Sequence, residues 1–231
     1  MSHGEQDIAA RQAAYYGSLY EQHGPGVDAV ASGNQVYKNL RYEKLASMFG
    51  QDHAFSVHDV GCGVGHFYEF LGKHYPERKI DYSGTEITPA FVEHCKSVYP
   101  DKDFQLRDLS AAPFPEKYDY LVFGGTFYHL AGSDSAEFWE FVKRMLTHGF
   151  MSARKGIAVN FVTGYVGYRL PDLFYGDVGE VTRFISSDLS RFFTVDHASP
   201  LFEHTICVYR DTHIRQRYAD PAFGKYFKPP G

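Results

Sequence analysis

Val57-His58-Asp59-Val60-Gly61-Cys62-Gly63-Val64-Gly65-His66-Phe67 decides the fold. The stretch opens on β-prone residues and turns on alternating glycines. It then runs into Phe67-Tyr68-Glu69-Phe70-Leu71-Gly72-Lys73-His74-Tyr75, which reads as a helix. A glycine lets the backbone turn tightly and approach a ligand where a Cβ would collide. Strand, glycine turn and helix in that order build a nucleotide site at the carboxyl end of the first strand of an open α/β sheet. The spacing is Gly-x-Gly-x-Gly with an acid two residues ahead, not the Gly-x-Gly-x-x-Gly of dinucleotide binders. A carboxylate at Asp59 repels a pyrophosphate and suits a cationic ligand.

On either side of this stretch the chain alternates between strand and helix patterns. Residues 55–60 form strand one and 65–75 its crossover helix; residues 80–86 form strand two, followed by a helix over 89–99 with Thr88 as cap and Pro89 in its first turn. A short strand three covers 103–106 and strand four 118–123, with a helix over 133–148 and strand five over 156–162. A helix over 177–190 precedes two strands, 192–197 and 204–209, whose short link predicts an antiparallel hairpin. This is an α/β pattern, a mainly parallel seven-stranded sheet covered on both faces with an antiparallel hairpin at one edge. Ahead of it, apolar positions at near-helical spacing predict a helix over 5–22, stopped by His23-Gly24-Pro25-Gly26. A second helix starts near Ser32 or Asn34 and reaches Gly50. The tail from Asp211, with Pro221, Pro229 and Pro230, reads as loop. The expected division is residues 1–50 as an N-terminal helical piece, 51–211 as the α/β domain and 212–231 as a C-terminal tail.

A chain of 231 residues can bury a full core, and its hydrophobic fraction of 44% with 22% charged residues belongs to an ordinary globular protein. A formal charge of −5 argues against a nucleic acid as the main partner, since a polyanion needs a basic face. Cys62, Cys95 and Cys207 lack metal or redox spacing, which predicts reduced thiols in a cytoplasmic protein. No His-Glu-x-x-His or Cys-x-x-Cys occurs, so no metal is expected. No leader is evident at Met1-Ser2-His3-Gly4-Glu5 and no apolar run is long enough to span a bilayer.

Asp59-Val60-Gly61-Cys62-Gly63-Val64-Gly65 resembles the first motif of the class I S-adenosylmethionine-dependent methyltransferases, and the likeness extends in order from about Phe55 to Arg210. It implies a Rossmann-like fold, S-adenosylmethionine as cofactor, and a loop at Gly61 and Gly63 that wraps the cofactor's amino-acid end. Glu86, ending strand two, falls at the second motif, where an acid accepts the ribose hydroxyls; the other role open to it is to complement the dipole of the next helix. Asp108 ends strand three at the third motif and implies a bond to the adenine amine, with Ile87 and Leu109 sandwiching the ring; turn formation with Ser110 is its alternative. Phe123 and Gly124, closing strand four, are implied cofactor contacts, and Tyr128 and His129 face the reactive end.

His129 is the one histidine nominated as a base, since a near-neutral pKa suits deprotonating an acceptor; a structural role, as the resemblance implies for a histidine here, is its alternative. The N-terminal helices either roof the pocket as a lid or pack plainly on the sheet. In the first case Tyr16 contacts the cofactor, and Arg41 pairs with its carboxylate rather than with solvent. Tyr165, Tyr168, Phe174 and Tyr175, after strand five, are either the acceptor pocket or packing, with Tyr175 placed on the catalytic side. The chain holds 18 Tyr and 20 Phe against one Trp, and a sulfonium ligand gains from ring faces.

The resemblance implies methyl transfer. The absence of Asn-Pro-Pro-Tyr after strand four and the short insert after strand five favour a small-molecule acceptor, with the protein a monomer or homodimer. The same fold also supports attack by the α-amine of S-adenosylmethionine on its own γ-carbon, releasing methylthioadenosine and closing azetidine-2-carboxylate. A non-catalytic cofactor-binding subunit is a third reading of the same motifs.

Overall fold

Phe55, Val57 and Val60 are buried in a strand covered on both faces, as a central parallel strand requires. This strand, β1 (Ala54–Val60), pairs in parallel with β2 (Lys79–Glu86) on one side and β4 (Tyr118–Phe123) on the other. With β3 (Asp103–Leu106), β5 (Ala153–Thr163), β7 (Phe193–Asp196) and β8 (Glu203–Tyr209), the sheet order is β3-β2-β1-β4-β5-β8-β7. Only the β5–β8 and β7–β8 ladders are antiparallel, which is the expected edge hairpin. A two-residue strand, β6 (Tyr175–Gly176), pairs with the end of β5 and makes the sheet eight-stranded rather than seven-stranded. The order reverses between β1 and β4, and the crevice at their carboxyl ends is where such a sheet accepts a ligand.

The computed structural model describes residues 3–26 and 34–227, with side chains from Ile8. The proposed helix start at Ser32 and the loop reading of Pro229 and Pro230 lie outside the described residues. Helices α1 (His3–His23) and α2 (Gln35–Ala46) precede the sheet, and Asn34 caps α2 by accepting from the Val36 N–H at 2.8 Å. The crossovers are α3 (His66–His74), α4 (Pro89–Val98) and α5 (Ser135–Ser152). Then come α6 (Val178–Phe184), extended by a π turn over Ile185–Leu189, and α7 (Asp211–Arg217).

Alternation along β4 separates the two cores. Leu121 and Phe123 point to the α5 face with Phe138 and Phe161, while Tyr120 and Val122 point to the face of α2 and α3 with Val57 and Tyr82. Cys62, Cys95 and Cys207 are free thiols, all buried.

Two boundaries differ from expectation. Helix α5 continues to Ser152 and passes directly into β5 at Ala153, so no loop separates them. The segment after Asp211 is not loop: α7 and a 3₁₀ turn over Pro221–Tyr226 pack back onto the sheet. The Arg210 N–H donates to the Lys155 carbonyl at 2.8 Å, and Ile214 joins the core beside Tyr209. A short helix with a single partly buried apolar residue carries too little periodicity to stand out in sequence. Among the described residues, no helix is long and apolar enough to cross a membrane.

Candidate functional site

The carboxyl ends of β1, β2 and β4 open into a cavity of about 970 Å³ including its mouth, roofed by residues of α1 and α2. Its floor is the loop after β1. Gly61 and Gly65 take φ of 75° and 84°, the left-handed region that L side chains avoid. A Cβ on Gly61 would lie 3.1 Å from the Thr126 methyl, and one on Gly65 only 2.7 Å from the Tyr99 ring. Conformation favours glycine at both positions; at Gly65 a side chain would also force the Tyr99 ring to shift, and at Gly61 the Thr126 methyl would have to give way slightly. The loop is tied to the next strand, because the Gly61 and Cys62 N–H groups both donate to the Thr85 carbonyl, at 2.8 and 3.1 Å.

Glu86 lines the cavity and is only 7% exposed. Its carboxylate accepts from the Gly63 N–H at 3.0 Å and from the Ile87 and Thr88 N–H groups at 2.7 and 3.1 Å. Burial pushes its pKa up, and those backbone donors oppose the shift. Glu86 thus holds the backbone just ahead of α4 and also faces the cavity beside the glycine loop. Gly61, Gly63, Ile87, Leu109, Gly124, Tyr16, Arg41 and Tyr128, all named from the sequence, also line it.

Several expected site residues stand elsewhere. Asp59 does not line the cavity: it is 3% exposed, accepts the Tyr82 hydroxyl at 2.8 Å, and burial raises its pKa to about 7. It supports the floor from below rather than meeting a cationic ligand. Asp108 closes a turn, accepting the Ser110 N–H and hydroxyl at 2.7 and 2.9 Å, and its neighbours Arg107 and Leu109 reach the cavity instead. Phe123 is fully buried and stacks on Phe127, because strand alternation turns it to the α5 face. Phe174 is packed among Phe138, Trp139 and Phe161, and Tyr175 accepts the Leu170 N–H at 2.8 Å under Arg169. Neither ring lines the cavity, so the segment after β5 serves as packing at these positions.

His129 is not in the cavity either. Its Nδ1 lies 3.0 Å from Asp172 Oδ2 and 3.2 Å from the Tyr15 hydroxyl, and its carbonyl accepts the Gln12 amide at 2.7 Å. The Tyr15 ring packs on the imidazole with centroids 5.1 Å apart. His129 thus clasps α1 to the loop after β4, a structural use.

Residues that sequence reasoning passed over complete the site. Tyr128 donates its hydroxyl to Glu203 Oε2 at 2.5 Å. The Asn160 amide donates to the same oxygen at 3.0 Å and to the Tyr128 hydroxyl, and its own carbonyl accepts the Gly125 N–H at 2.8 Å. Arg41 is bidentate on Glu203, with Nε 2.8 Å from Oε2, and its guanidinium lies 4.9 Å from the Tyr128 ring centroid. Burial works against the charge of Arg41, and the Glu203 bond outweighs it to hold the group protonated. Lys38 and His66 also line the cavity, the Lys38 ammonium 2.8 Å from His66 Nδ1. A strand position such as Glu203 carries no local signal of its role; its partner lies on a helix 162 residues away.

Residues 57–149 match the family model for a methyltransferase domain. Over 96 residues the chain is 30% identical to malonyl-[acyl-carrier protein] O-methyltransferase 1 of Ilyobacter polytropus, a match covering 40% of this chain and 35% of that protein. The chain thus spans about a third of the length of that curated relative. Among solved structures it resembles magnesium protoporphyrin IX methyltransferase from Synechocystis PCC 6803 with SAH bound, at a TM-score of 0.62 and 14% identity, covering 89% of this chain and 99% of that one. It also resembles the [4+2]-cyclase SpnF, at a TM-score of 0.56 and 16% identity over 83% and 72% of the two chains. At those identities the structural likeness establishes the fold.

Proposed function

This chain carries a class I S-adenosylmethionine-dependent methyltransferase domain, and from that premise we propose that it holds S-adenosylmethionine in the cavity and methylates a small-molecule acceptor. The observation that carries the reading is the convergence of Gly61, Gly63, Glu86, Ile87 and Leu109 on one cavity beneath two helices. The cradle fits the cofactor: backbone lies bare at the glycine loop, and Glu86 offers a buried carboxylate toward ribose hydroxyls. Ile87 and Leu109 supply apolar contacts for an adenine. Helices α1 and α2 act as a lid in this reading, because Gln12, Tyr16, Lys38 and Arg41 all reach the cavity from them.

Bound there, the cofactor supplies an electrophilic methyl group. What remains for the protein is to orient a nucleophile and to exclude water. Tyr128 is placed for the first task. Its own proton is committed to Glu203 and its oxygen already accepts from the Asn160 amide, so it meets the cavity as a fixed, neutral ring against which a substrate is oriented. Burial drives its pKa well above the usual phenol value, which keeps it neutral in that role. Tyr16, Tyr42 and Phe91 provide ring faces and close the cavity against solvent.

The aromatic, covered cavity also favours a second reading in which the substrate reacts with itself. Attack of the α-amine on the γ-carbon forms a C–N bond and breaks the C–S bond. Methylthioadenosine leaves, azetidine-2-carboxylate forms and the amine proton passes to solvent. One assay separates the two readings. Protein incubated with S-adenosylmethionine alone and then with candidate acceptors gives S-adenosylhomocysteine only with an acceptor if it is a methyltransferase. Methylthioadenosine formed without any acceptor, above the rate without protein and matched by azetidine-2-carboxylate rather than homoserine lactone, overturns that reading in favour of the second.

A further inference from the structure

Asn160 of β5 is fully buried in a run otherwise apolar from Ile157 to Phe161. An amide in such a place is costly unless its polar atoms find partners, and here they do. Its Oδ1 accepts the Gly125 N–H at 2.8 Å, and its Nδ2 donates to Glu203 Oε2 at 3.0 Å and to the Tyr128 hydroxyl. Because an N–H can only donate, Gly125 fixes which end of the amide is the oxygen.

The β4–β5 ladder stops at the pair Phe123 and Val159, one residue before Asn160. Beyond that point the Asn160 side chain takes over from backbone pairing and binds both ends of the stretch from Gly125 to Tyr128. The Thr126 hydroxyl adds a tie to the Val60 carbonyl at 2.9 Å. Gly124, Gly125, Thr126 and Tyr128 line the cavity, and Asn160 stands behind them. Glu86, Ile87 and Leu109 lie at and past the ends of β2 and β3, across β1 from this wall. A nucleoside seated there with its length along the strand ends turns its 5′ substituent toward β4.

We propose that Asn160 is a positioning residue for the reactive end of the site. Through Gly125 and Tyr128 it holds the wall that meets the sulfur and amino-acid end of S-adenosylmethionine, without touching the cofactor itself. The inference rests on the cofactor reading above.

Two nucleosides test it. S-adenosylhomocysteine carries the amino-acid end, and 5′-methylthioadenosine lacks it. In calorimetry, Asn160→Ala is expected to weaken S-adenosylhomocysteine about tenfold or more and to leave methylthioadenosine within about twofold. The retained methylthioadenosine affinity shows that the variant is folded. Asn160→Asp keeps an acceptor for Gly125 and sets a carboxylate against Glu203. The other charged or titratable groups at this point are Arg41, held protonated, and Tyr128, which burial keeps neutral. Two facing carboxylates take up a shared proton as pH falls, and that proton restores a donor between them. The selective loss in Asn160→Asp is therefore expected to be largest near about pH 8 and to shrink toward about pH 6, whereas that of Asn160→Ala stays constant. Equal weakening of both nucleosides by Asn160→Ala, or no weakening of either, overturns the positioning role and leaves the cofactor reading standing. A loss in Asn160→Asp that ignores pH also overturns it. Wild-type protein that binds neither nucleoside overturns both readings.

Discussion

Arg41 of α2 and Glu203 of β8 form a bidentate ion pair across 162 residues, with Nε 2.8 Å from Oε2 and side chains only 11% and 13% exposed. The pair fastens a roof helix to the sheet, and Lys44 on the same helix repeats the attachment to Asp196 at 2.8 Å in a more exposed setting.

Removing one member of a buried pair leaves a charge without its main partner. Glu203→Ala is expected to destabilise the protein by about 3 kcal/mol in urea unfolding. Lys44→Ala, at the solvated pair, should cost less than about 1 kcal/mol. A similar cost for the two would show that the Arg41 pair is effectively solvated.

Glu86 braces the glycine loop and faces the cavity, so its loss acts twice. Glu86→Ala is expected to weaken S-adenosylhomocysteine at least tenfold, about 1.4 kcal/mol, by calorimetry. Unchanged affinity in a folded variant removes the ribose assignment.

For His129 the structure favours the structural use over the base, the two roles that the sequence left open. With the imidazole tied to Tyr15 and Asp172 outside the cavity, His129→Ala should loosen α1 rather than remove a base. Hydrogen exchange over residues 8–23 is expected to quicken in the variant, while the acidic limb of any pH–rate curve keeps its position. A flattened limb with unchanged exchange would restore the base.

Asp59 gives a pH test of stability. Its folded pKa of about 7 lies above the ordinary carboxyl value of 3.8, through burial first, opposed by the Tyr82 bond and assisted by Glu86. The folded state therefore holds a proton that the unfolded state releases. This contribution to stability is complete below about pH 4 and is lost as pH rises through 7. Asp59→Asn keeps an acceptor for Tyr82 and removes the titration, so relative to wild type it should gain stability from pH 5 to pH 8, by about 2.7 kcal/mol. Parallel urea curves at the two pH values check this; a difference independent of pH would place Asp59 in contact with water.

The fold was legible because its signals are local. The glycine loop, the alternation of strand and helix, and the acid at the end of β2 each sit within one short stretch. Ile87 and Leu109, implied by the resemblance, both line the cavity. The assignments that failed depend on direction and distance. Phe123 and Phe174 turn to the α5 face, which only the finished sheet decides. Asp108 found its partners two residues ahead, and Asp59 and His129 are taken up by neighbours from other elements. Glu203, Asn160 and Lys38 were missed for the complementary reason, since their roles arise where distant segments meet. The tail was misread because α7 draws its support from the sheet beneath it more than from its own pattern.

Glu203 lies on β8, which stands inside the sheet between β5 and β7 but is the last strand to be synthesised. A ribosome makes the roof helix α2, the glycine cradle and the parallel half of the sheet first, and the residue that fastens the roof comes afterward. A nascent chain short of residue 203 can thus form the cradle without the Arg41 latch. The closed cavity therefore depends on a strand that follows the whole parallel half of the sheet in chain order.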